Sequence, residues 1–118
     1  IGNTTLHLIG NARQWILTGI GEYPDERERD NEFKEDSNVS KARLLDMLDE
    51  LKNDLVPVLN ALTEDQINKM TTVQDFEVSG FSILVHVIEH FSYHTGQISL
   101  LTKLMKNQDL GFYADHEL

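Results

Sequence analysis

Three stretches of the chain carry apolar residues at helical spacing, and each of them predicts a helix. The first covers about residues 3–20, with Gly19 and Gly21 at its end. A charged segment without apolar periodicity follows at residues 22–37 and predicts a long surface loop. Loops of this length are uncommon in a small domain and often have a function, so this loop is a candidate part of a site.

The second stretch predicts a helix that begins at Ser37 or Asn38, either of which can cap its N-terminus. Its leucines and valines form one stripe that continues as far as Leu62. Pro57 has no backbone N–H and its ring crowds the preceding turn, so we expect it to end or kink this helix near Val56.

Two short elements and the longest helix complete the chain. Thr63, with Gln66 three residues later, predicts a capping box at the start of a short helix. Residues 71–79 alternate between polar and apolar types and predict a short extended arm. The third helix runs from about Gly80 to Lys106 and would be about 40 Å long, which is enough for the spine of a helical bundle.

Together these elements predict one all-α domain that spans residues 1–118, because strand signal is nearly absent. The opening residues after Ile1 already have a helical pattern, so we expect a preceding segment that this numbering lacks. Three helices with one long connection leave an apolar flank uncovered. We expect that segment or a second subunit to cover it.

The charge of the chain changes which partners are expected. Twenty Asp and Glu residues against ten Lys and Arg residues give a formal charge of −10. Such a surface repels phosphate backbones and anionic lipids, so neither nucleic acid nor a membrane is an expected partner. The chain has no cysteine, no bilayer-spanning apolar run and no signal-peptide pattern. These absences predict a cytoplasmic protein without disulfides or thiolate metal sites.

Histidines occur at every fourth position of the third helix, at His86, His90 and His94, and Gln97 continues the stripe. Each step of four residues turns the direction by only about 40°, so these side chains share one face. Apolar residues border the stripe on both sides, which indicates that it faces the interior. Two histidines four residues apart are a common pair of metal ligands. The alternative is a set of unrelated core or surface histidines.

A third ligand has to come from another helix, and His7 is the candidate because it lies inside the first helical stretch. His116 lies in the C-terminal tail and is a poorer candidate. The face that carries His7 is unusually rich in amide side chains, namely Asn3, Asn11 and Gln14. The sequence therefore predicts a metal site formed by His7, His90 and His94, with a plain exposed polar face as the alternative interpretation of His7.

One competing motif overlaps the histidine stripe. His86-Val-Ile-Glu-His90 matches H-x-x-E-H, the signature of the inverted zinc proteases, in which Glu89 would be the general base. That class has its remaining ligand far downstream, and few residues follow His90 here. The motif is also short enough to occur by chance. We therefore keep the protease only as a lesser alternative.

Three segments resemble the DinB-like superfamily of metal-dependent proteins (YfiT/DinB type): TLHLIGNARQWI, VQDFEVSG and HVIEHFSYHTGQI. The resemblance implies an antiparallel four-helix bundle with a long crossover loop, whose first helix would precede Ile1. Its members bind a divalent metal through one histidine of the second helix and an H-x-x-x-H pair of the last, which correspond here to His7, His90 and His94.

Two neighbouring positions are interpreted through the same resemblance. Thr95 stands where the H-R-G-Q element of the family has arginine, so a role that needs a basic side chain there is in doubt. His86 is expected beside the ion, in the pocket wall, without binding it. Gln97 is expected to be structural and to form a hydrogen bond with a ligand histidine.

The resemblance implies a metal-dependent enzyme that acts on a small molecule, of the thiol-dependent transferase or hydrolase type. Imidazole ligands suit zinc and nickel, which we expect, and also iron and copper. Such an ion can lower the pKa of bound water to about 7 or bind a thiolate. The alternative is a non-catalytic metal-dependent binding or stress-response module. A homodimer is expected, and no catalytic residue is predicted.

Several other residues could border the ion or its substrate. Glu89 is expected to point away from the ion, about 100° from His90 around the helix. Trp15 is expected either in core packing or near the pocket. An open coordination position lined by Trp15 or Tyr93 would favour catalysis. Charged residues that could reach a substrate, or could be plain solvated charge, are Arg13, Arg27, Arg29, Asp75 and Glu77.

Overall fold

Two long helices and a shorter one form the frame of the molecule in the computed structural model, which describes residues 1–34 and 39–115. The elements in chain order are α1 (Gly2–Ala12), a π-helical turn (Arg13–Thr18), a 3-10 turn (Arg29–Phe33), α2 (Lys41–Asn60), α3 (Glu64–Asn68), β1 (Met70–Val73), β2 (Phe76–Ser79) and α4 (Gly80–Lys106). The prediction of an all-α protein is thus confirmed in outline, with the addition of a small two-stranded sheet.

The first predicted helix consists of α1 and the π-helical turn that continues it. The wider turn is visible in the hydrogen bond from the Gly19 N–H to the carbonyl oxygen of Gln14, five residues back, at 3.1 Å. This turn buries three consecutive side chains, Trp15, Ile16 and Leu17. A typical amphipathic α-helix packs only one stripe of its surface against the core, so three consecutive residues are not all buried. The helix therefore enters the core more deeply at its C-terminal end.

The second predicted helix differs from expectation at both ends. It begins at Lys41, where the Ser40 hydroxyl accepts a hydrogen bond from the Arg43 N–H at 3.1 Å. The predicted caps Ser37 and Asn38 lie outside the described residues. Pro57 was predicted to end or kink the helix near Val56, and the first alternative is wrong, since α2 continues to Asn60.

The physical reasons for both differences are local. Ser40 has an extended backbone and satisfies an N–H of the first turn, so it is a better cap than a residue further from the apolar stripe. Pro57 removes a single N–H donor, and Leu55, Val58 and Leu62 pack against the core around it. That packing outweighs the cost of the proline over the three residues that follow.

The short elements before α4 follow the sequence closely. Thr63 and Gln66 form the predicted capping box of α3. The predicted extended arm is a hairpin in which β1 and β2 pair in antiparallel register, with Val73 opposite Phe76. Its turn residues, Gln74 and Asp75, have φ angles of 51° and 68°, a pair of left-handed conformations that suits a two-residue hairpin turn.

The core lies between the first helix, α2, the hairpin and α4. Its buried members come from all four parts: Ile9, Ala12, Trp15, Ile16, Ile20, Leu51, Val73, Ile83 and Val87. Contacts between α1 and α4 run in opposite directions along the two helices, from His7 with His90 to Trp15 with His86. The two helices are therefore antiparallel neighbours.

One face of α4 is not covered by any described part of the chain. Phe81, Val85 and Ile88, spaced four and three residues apart, are exposed there, and Ile88 is 69% exposed. We call these three residues the apolar flank. No helix among residues 1–34 and 39–115 combines the length and apolar character needed to cross a bilayer.

Candidate metal centre

The antiparallel packing of α1 on α4 brings together the three predicted ligands. One ring nitrogen from each of His7, His90 and His94 lies within 4.8 Å of the other two. The Nε2 atoms of His7 and His90 are only 3.1 Å apart. Their proximity does not follow from the spacing within either helix, because 83 residues separate His7 from His90 in the chain.

These distances suit a small divalent ion. At a Zn–N distance of about 2.0–2.1 Å, ligand nitrogens of a tetrahedral site lie about 3.3 Å from one another. The 3.1 Å separation of His7 and His90 is close to that value, and the limit of 4.8 Å for the whole group is wider. The three histidines lie close enough together to bind a metal ion.

Hydrogen bonds at the far side of two of the rings orient them toward the cluster. The Nδ1 of His7 lies 2.9 Å from Oε2 of Glu32, and the Nδ1 of His94 lies 2.7 Å from Oε1 of Gln97. Both oxygens only accept, so they favour a proton on Nδ1 and leave the Nε2 lone pair free for a metal. The predicted hydrogen bond between Gln97 and one of the three histidines is present, with the Gln97 oxygen as the acceptor.

Burial favours the neutral form of two of the three histidines, His90 and His7. It lowers the pKa of His90 to about 4, with further contributions from the neighbouring His94, His7 and His86. Burial also lowers the pKa of His7, against the opposing effect of its hydrogen bond to Glu32. Neutral imidazole is the form that binds a metal, so these side chains are ready to do so near pH 7 without first losing a proton.

His86 lies beside the cluster and outside it. Its ring stacks on Trp15 at 3.9 Å between centroids and lies 5.4 Å from His90. Its Nε2 is 3.3 Å from the side-chain nitrogen of Asn11. Trp15 is itself buried in the core. His86 and Trp15 therefore form the inner wall of the site, which agrees with the expectation for both residues.

The loop between the first helix and α2 supplies a buried carboxylate that the sequence did not indicate. Glu32 is 8% exposed, and Arg27 pairs with it through Nε at 2.7 Å and Nη2 at 2.9 Å. Arg27 was a candidate for substrate binding or solvated charge, and its side chain, which is 4% exposed, is not solvated charge. The only available signal was the length of the loop, because its charged residues show no pattern that separates Glu32 from the rest.

Two aromatic rings border the cluster on its more exposed side. Phe33 lies 5.1 Å from His7 and Tyr93 lies 5.0 Å from His94, measured between ring centroids. Phe33 is half exposed and Tyr93 is 63% exposed. A small molecule that reached the histidines from solvent would pass these rings.

The remaining sequence candidates have other contacts. Arg13 pairs with Asp54 of α2 at 2.7 Å, and Arg29 lies over the Phe33 ring at 5.7 Å, next to the border of the cluster. Asp75 and Glu77 are exposed in the hairpin. Glu89 is exposed, as expected, and His86 lies outside the ligand group, so the geometry gives no support to the inverted zinc-protease motif. His116 lies outside the described residues.

A cavity of about 680 Å³ adjoins the site between α1, the loop and α2. Its walls include Leu6, Leu17 and Met47 together with the Arg27–Glu32 pair, and do not include the three histidines. The Arg27–Glu32 pair, which contacts His7, therefore lies between this cavity and the histidine cluster. For this reason the histidine cluster, and not the cavity, is the centre of the candidate site.

Comparison with known proteins finds a family that matches most of the chain. The family model described as "Protein of unknown function (DUF1572)" matches residues 2–113. No curated protein and no solved structure matches the chain.

Proposed function

We propose that this chain, which belongs to the DUF1572 family of proteins of unknown function, is a metal-binding bundle protein of the DinB-like kind. His7, His90 and His94 would hold a divalent ion between the two helices that carry them. The observation that supports this most directly is the convergence of three imidazole nitrogens within 4.8 Å of one another. The Nδ1 hydrogen bonds of His7 and His94 support it independently, since they orient the rings as metal ligands require.

Zinc or nickel is the proposed ion, with iron and copper as alternatives, because imidazole ligands suit all four. Bound there, the ion would supply Lewis-acid chemistry and lower the pKa of a water or thiol that it coordinates. Three protein ligands leave at least one coordination position for such a molecule. We therefore propose an enzyme that acts on a small substrate, of the thiol-dependent transferase or hydrolase type.

The surroundings of the histidines favour the thiol-dependent type over hydrolysis. Glu32 is the carboxylate that contacts the cluster, and Arg27 and His7 already occupy both of its oxygens. Hydrolysis by activated water benefits from a free general base, and Glu32 is not free to serve as one. A thiol ionises more readily than water, so it depends less on such a base.

A non-catalytic module is the second candidate, and the same observation about Glu32 favours it. The ion would then mainly join α1 to α4, as structural zinc sites join chain segments. A panel of small thiols with electrophilic acceptors separates the two candidates. Metal-dependent turnover of any pair supports the enzyme, and its absence across the panel, with metal bound, supports the module.

Metal analysis of purified variants tests the metal centre itself. We expect about one divalent ion per chain in the natural sequence after dialysis against zinc, and a loss of tight binding in His90→Ala and in His94→Ala. His86→Ala is the matched control on the same helix, and we expect it to keep the ion. Tight binding that survives in both ligand variants would overturn the proposed metal centre. Loss in His86→Ala, with retention in His94→Ala, would instead favour the inverted zinc-protease motif.

A further inference from the structure

The long loop brings a carboxylate back to the first helix and places it against one of the proposed ligands. We infer that Glu32 is a positioning residue of the metal centre, which holds His7 with its proton on Nδ1 and its Nε2 aimed at His90. This inference rests on the proposed metal site and adds to it a fourth residue, from the loop, that does not bind the ion.

The hydrogen-bond geometry around His7 favours a proton on its Nδ1. Oε2 of Glu32, 2.9 Å from Nδ1, is an acceptor with no hydrogen of its own. An unprotonated Nδ1 would place two lone pairs against each other at that distance. The Nη2 of Arg27 also lies 3.2 Å from Nδ1, and one of its two hydrogens bonds to Oε2 at 2.9 Å. The shorter contact of Nδ1 with the charged carboxylate favours Nδ1–H donating to Glu32 over Nδ1 accepting from Arg27.

A buried carboxylate is costly unless it is paired, and Arg27 provides the pairing. The Arg27 side chain is 4% exposed and meets both carboxylate oxygens in a two-pronged contact. Its remaining terminal nitrogen, Nη1, donates to Oε1 of Gln14 at 2.9 Å. Three hydrogen bonds, two with Arg27 and one with His7, thereby hold the Glu32 carboxylate and define its position relative to α1.

The first helix has a glycine, and so no side chain, where the Arg27–Glu32 pair packs against it. Gly10 follows His7 by three residues on the same face, and a Cβ there would collide with Oε1 of Glu32 and lie 3.0 Å from Nε of Arg27. The absence of a side chain at position 10 is therefore a steric requirement for the carboxylate to reach His7.

The pairing has two consequences for a metal ligand. A carboxylate behind a ligand imidazole restricts the rotation of the ring, and it makes the opposite nitrogen a stronger donor. In metalloproteins generally, the loss of such a partner lowers metal affinity or activity by about 10–100-fold. The loop thus contributes to the metal centre through His7.

Four variants separate positioning from a general effect on folding. Glu32→Ala removes the acceptor, and Glu32→Gln keeps an acceptor oxygen without the charge. Gly10→Ala leaves the carboxylate in the chain and displaces it. Glu26→Gln makes the same charge change as Glu32→Gln at an exposed position of the same loop and is the matched control.

Cobalt(II) titration, followed by its visible absorption, measures affinity and the ligand field together. We expect Glu32→Ala and Gly10→Ala to weaken cobalt binding about 10–100-fold, Glu32→Gln to weaken it less, and Glu26→Gln to leave it unchanged. The 15N chemical shifts of the His7 ring in the metal-free protein report its tautomer. We expect the Nδ1–H form in the natural sequence and a mixture of tautomers in Glu32→Ala.

The outcomes distinguish this inference from the proposed metal centre. If the natural sequence and Glu32→Ala bind cobalt equally tightly and His7 keeps the same tautomer, Glu32 is not a positioning residue, although the metal centre stands. If the natural sequence binds no cobalt, the metal centre fails while the tautomer measurement still tests the Glu32–His7 contact. Far-UV circular dichroism of each variant identifies any that does not fold, and for such a variant Glu32→Gln decides the question.

Discussion

Among the proposed ligands, His90 differs from the other two in what lies behind its ring. Glu32 accepts from His7 and Gln97 pairs with His94, whereas the buried Nδ1 of His90 has no hydrogen-bond partner in the described part of the chain. A buried ring nitrogen without a partner makes protonation unfavourable, which agrees with the depressed pKa of about 4. Burial of the His90 ring thus strongly favours its neutral form.

The metal-free protein should therefore lose stability in mild acid. The folded pKa of His90, about 4, lies below the usual value of 6.5, so the unfolded chain binds more protons between these limits. The free energy of unfolding should be highest above about pH 6.5 and should decrease as the pH falls toward 4, and the lowered pKa values of His7 and His86 act in the same direction.

Urea unfolding at a series of pH values, with chelator present, measures this dependence. His90→Asn removes the titrating ring and keeps a polar side chain of similar reach, so its curve should be flatter than that of the natural sequence between pH 6.5 and 5. Carboxylates contribute equally to both proteins and cancel in the comparison. Parallel curves would show that burial of His90 does not make the fold sensitive to acid.

At the scale of the elements, the C-terminal end of the first helix packs closely against both β1 and α4. Gly19 ends the π-helical turn, and a Cβ there would meet the carbonyl oxygen of Trp15, Cγ2 of Val73 at 2.9 Å and Cδ1 of Ile83 at 3.0 Å. Val73 and Ile83 are buried core residues and cannot move aside easily. The close approach of the three elements therefore depends on the missing side chain.

Alanine at two glycines should have opposite effects. Gly19→Ala should lower the free energy of unfolding by about 1–3 kcal/mol, because overpacking a tight core has a cost of that size. Gly96 lies inside α4 with nothing within 4 Å of a Cβ, so Gly96→Ala should raise the same quantity by about 0.5–1 kcal/mol through helix propensity. Thermal or urea unfolding of the metal-free variants checks both values. Stabilisation by Gly19→Ala would contradict the close packing described here.

For the whole molecule, the exposed apolar flank of α4 is the feature most unlike the surface of a typical monomer. Phe81 and Ile88 are 61% and 69% exposed, on the side of α4 away from the core. Large exposed apolar patches usually mark contacts with another protein surface. The sequence led us to expect either a preceding segment or a second subunit over this flank, and we propose a second copy of the chain.

Size-exclusion chromatography with light scattering tests this association. We expect a mass of twice the 13.5 kDa of the chain, and Ile88→Glu should shift it toward a single chain because a charge would then be buried in the contact. Lys106→Glu places the same residue type elsewhere on α4 and should leave the dimer intact. A single-chain mass for the natural sequence would refute the homodimer.

The sequence by itself determined the features that depend on neighbours within a few residues. These include the helical spans, the capping box of Thr63 and Gln66, and the shared face of His90 and His94, since helix geometry alone places residues four apart together. It also identified His7 as a partner for that face, by its place in a helix and by resemblance. Even so, the cap at Ser40 and the passage of α2 through Pro57 were missed, because neighbouring packing outweighs a single local preference.

Only the tertiary structure decided how distant segments meet. The 3.1 Å contact of His7 with His90 requires α1 and α4 to pack as antiparallel neighbours in one register. The role of Glu32 depends on a loop without periodicity, whose course is determined by burial of Arg27 against Gln14 and by the space above Gly10. No local sequence pattern predicts such contacts, because the tertiary structure decides which distant residues lie next to each other.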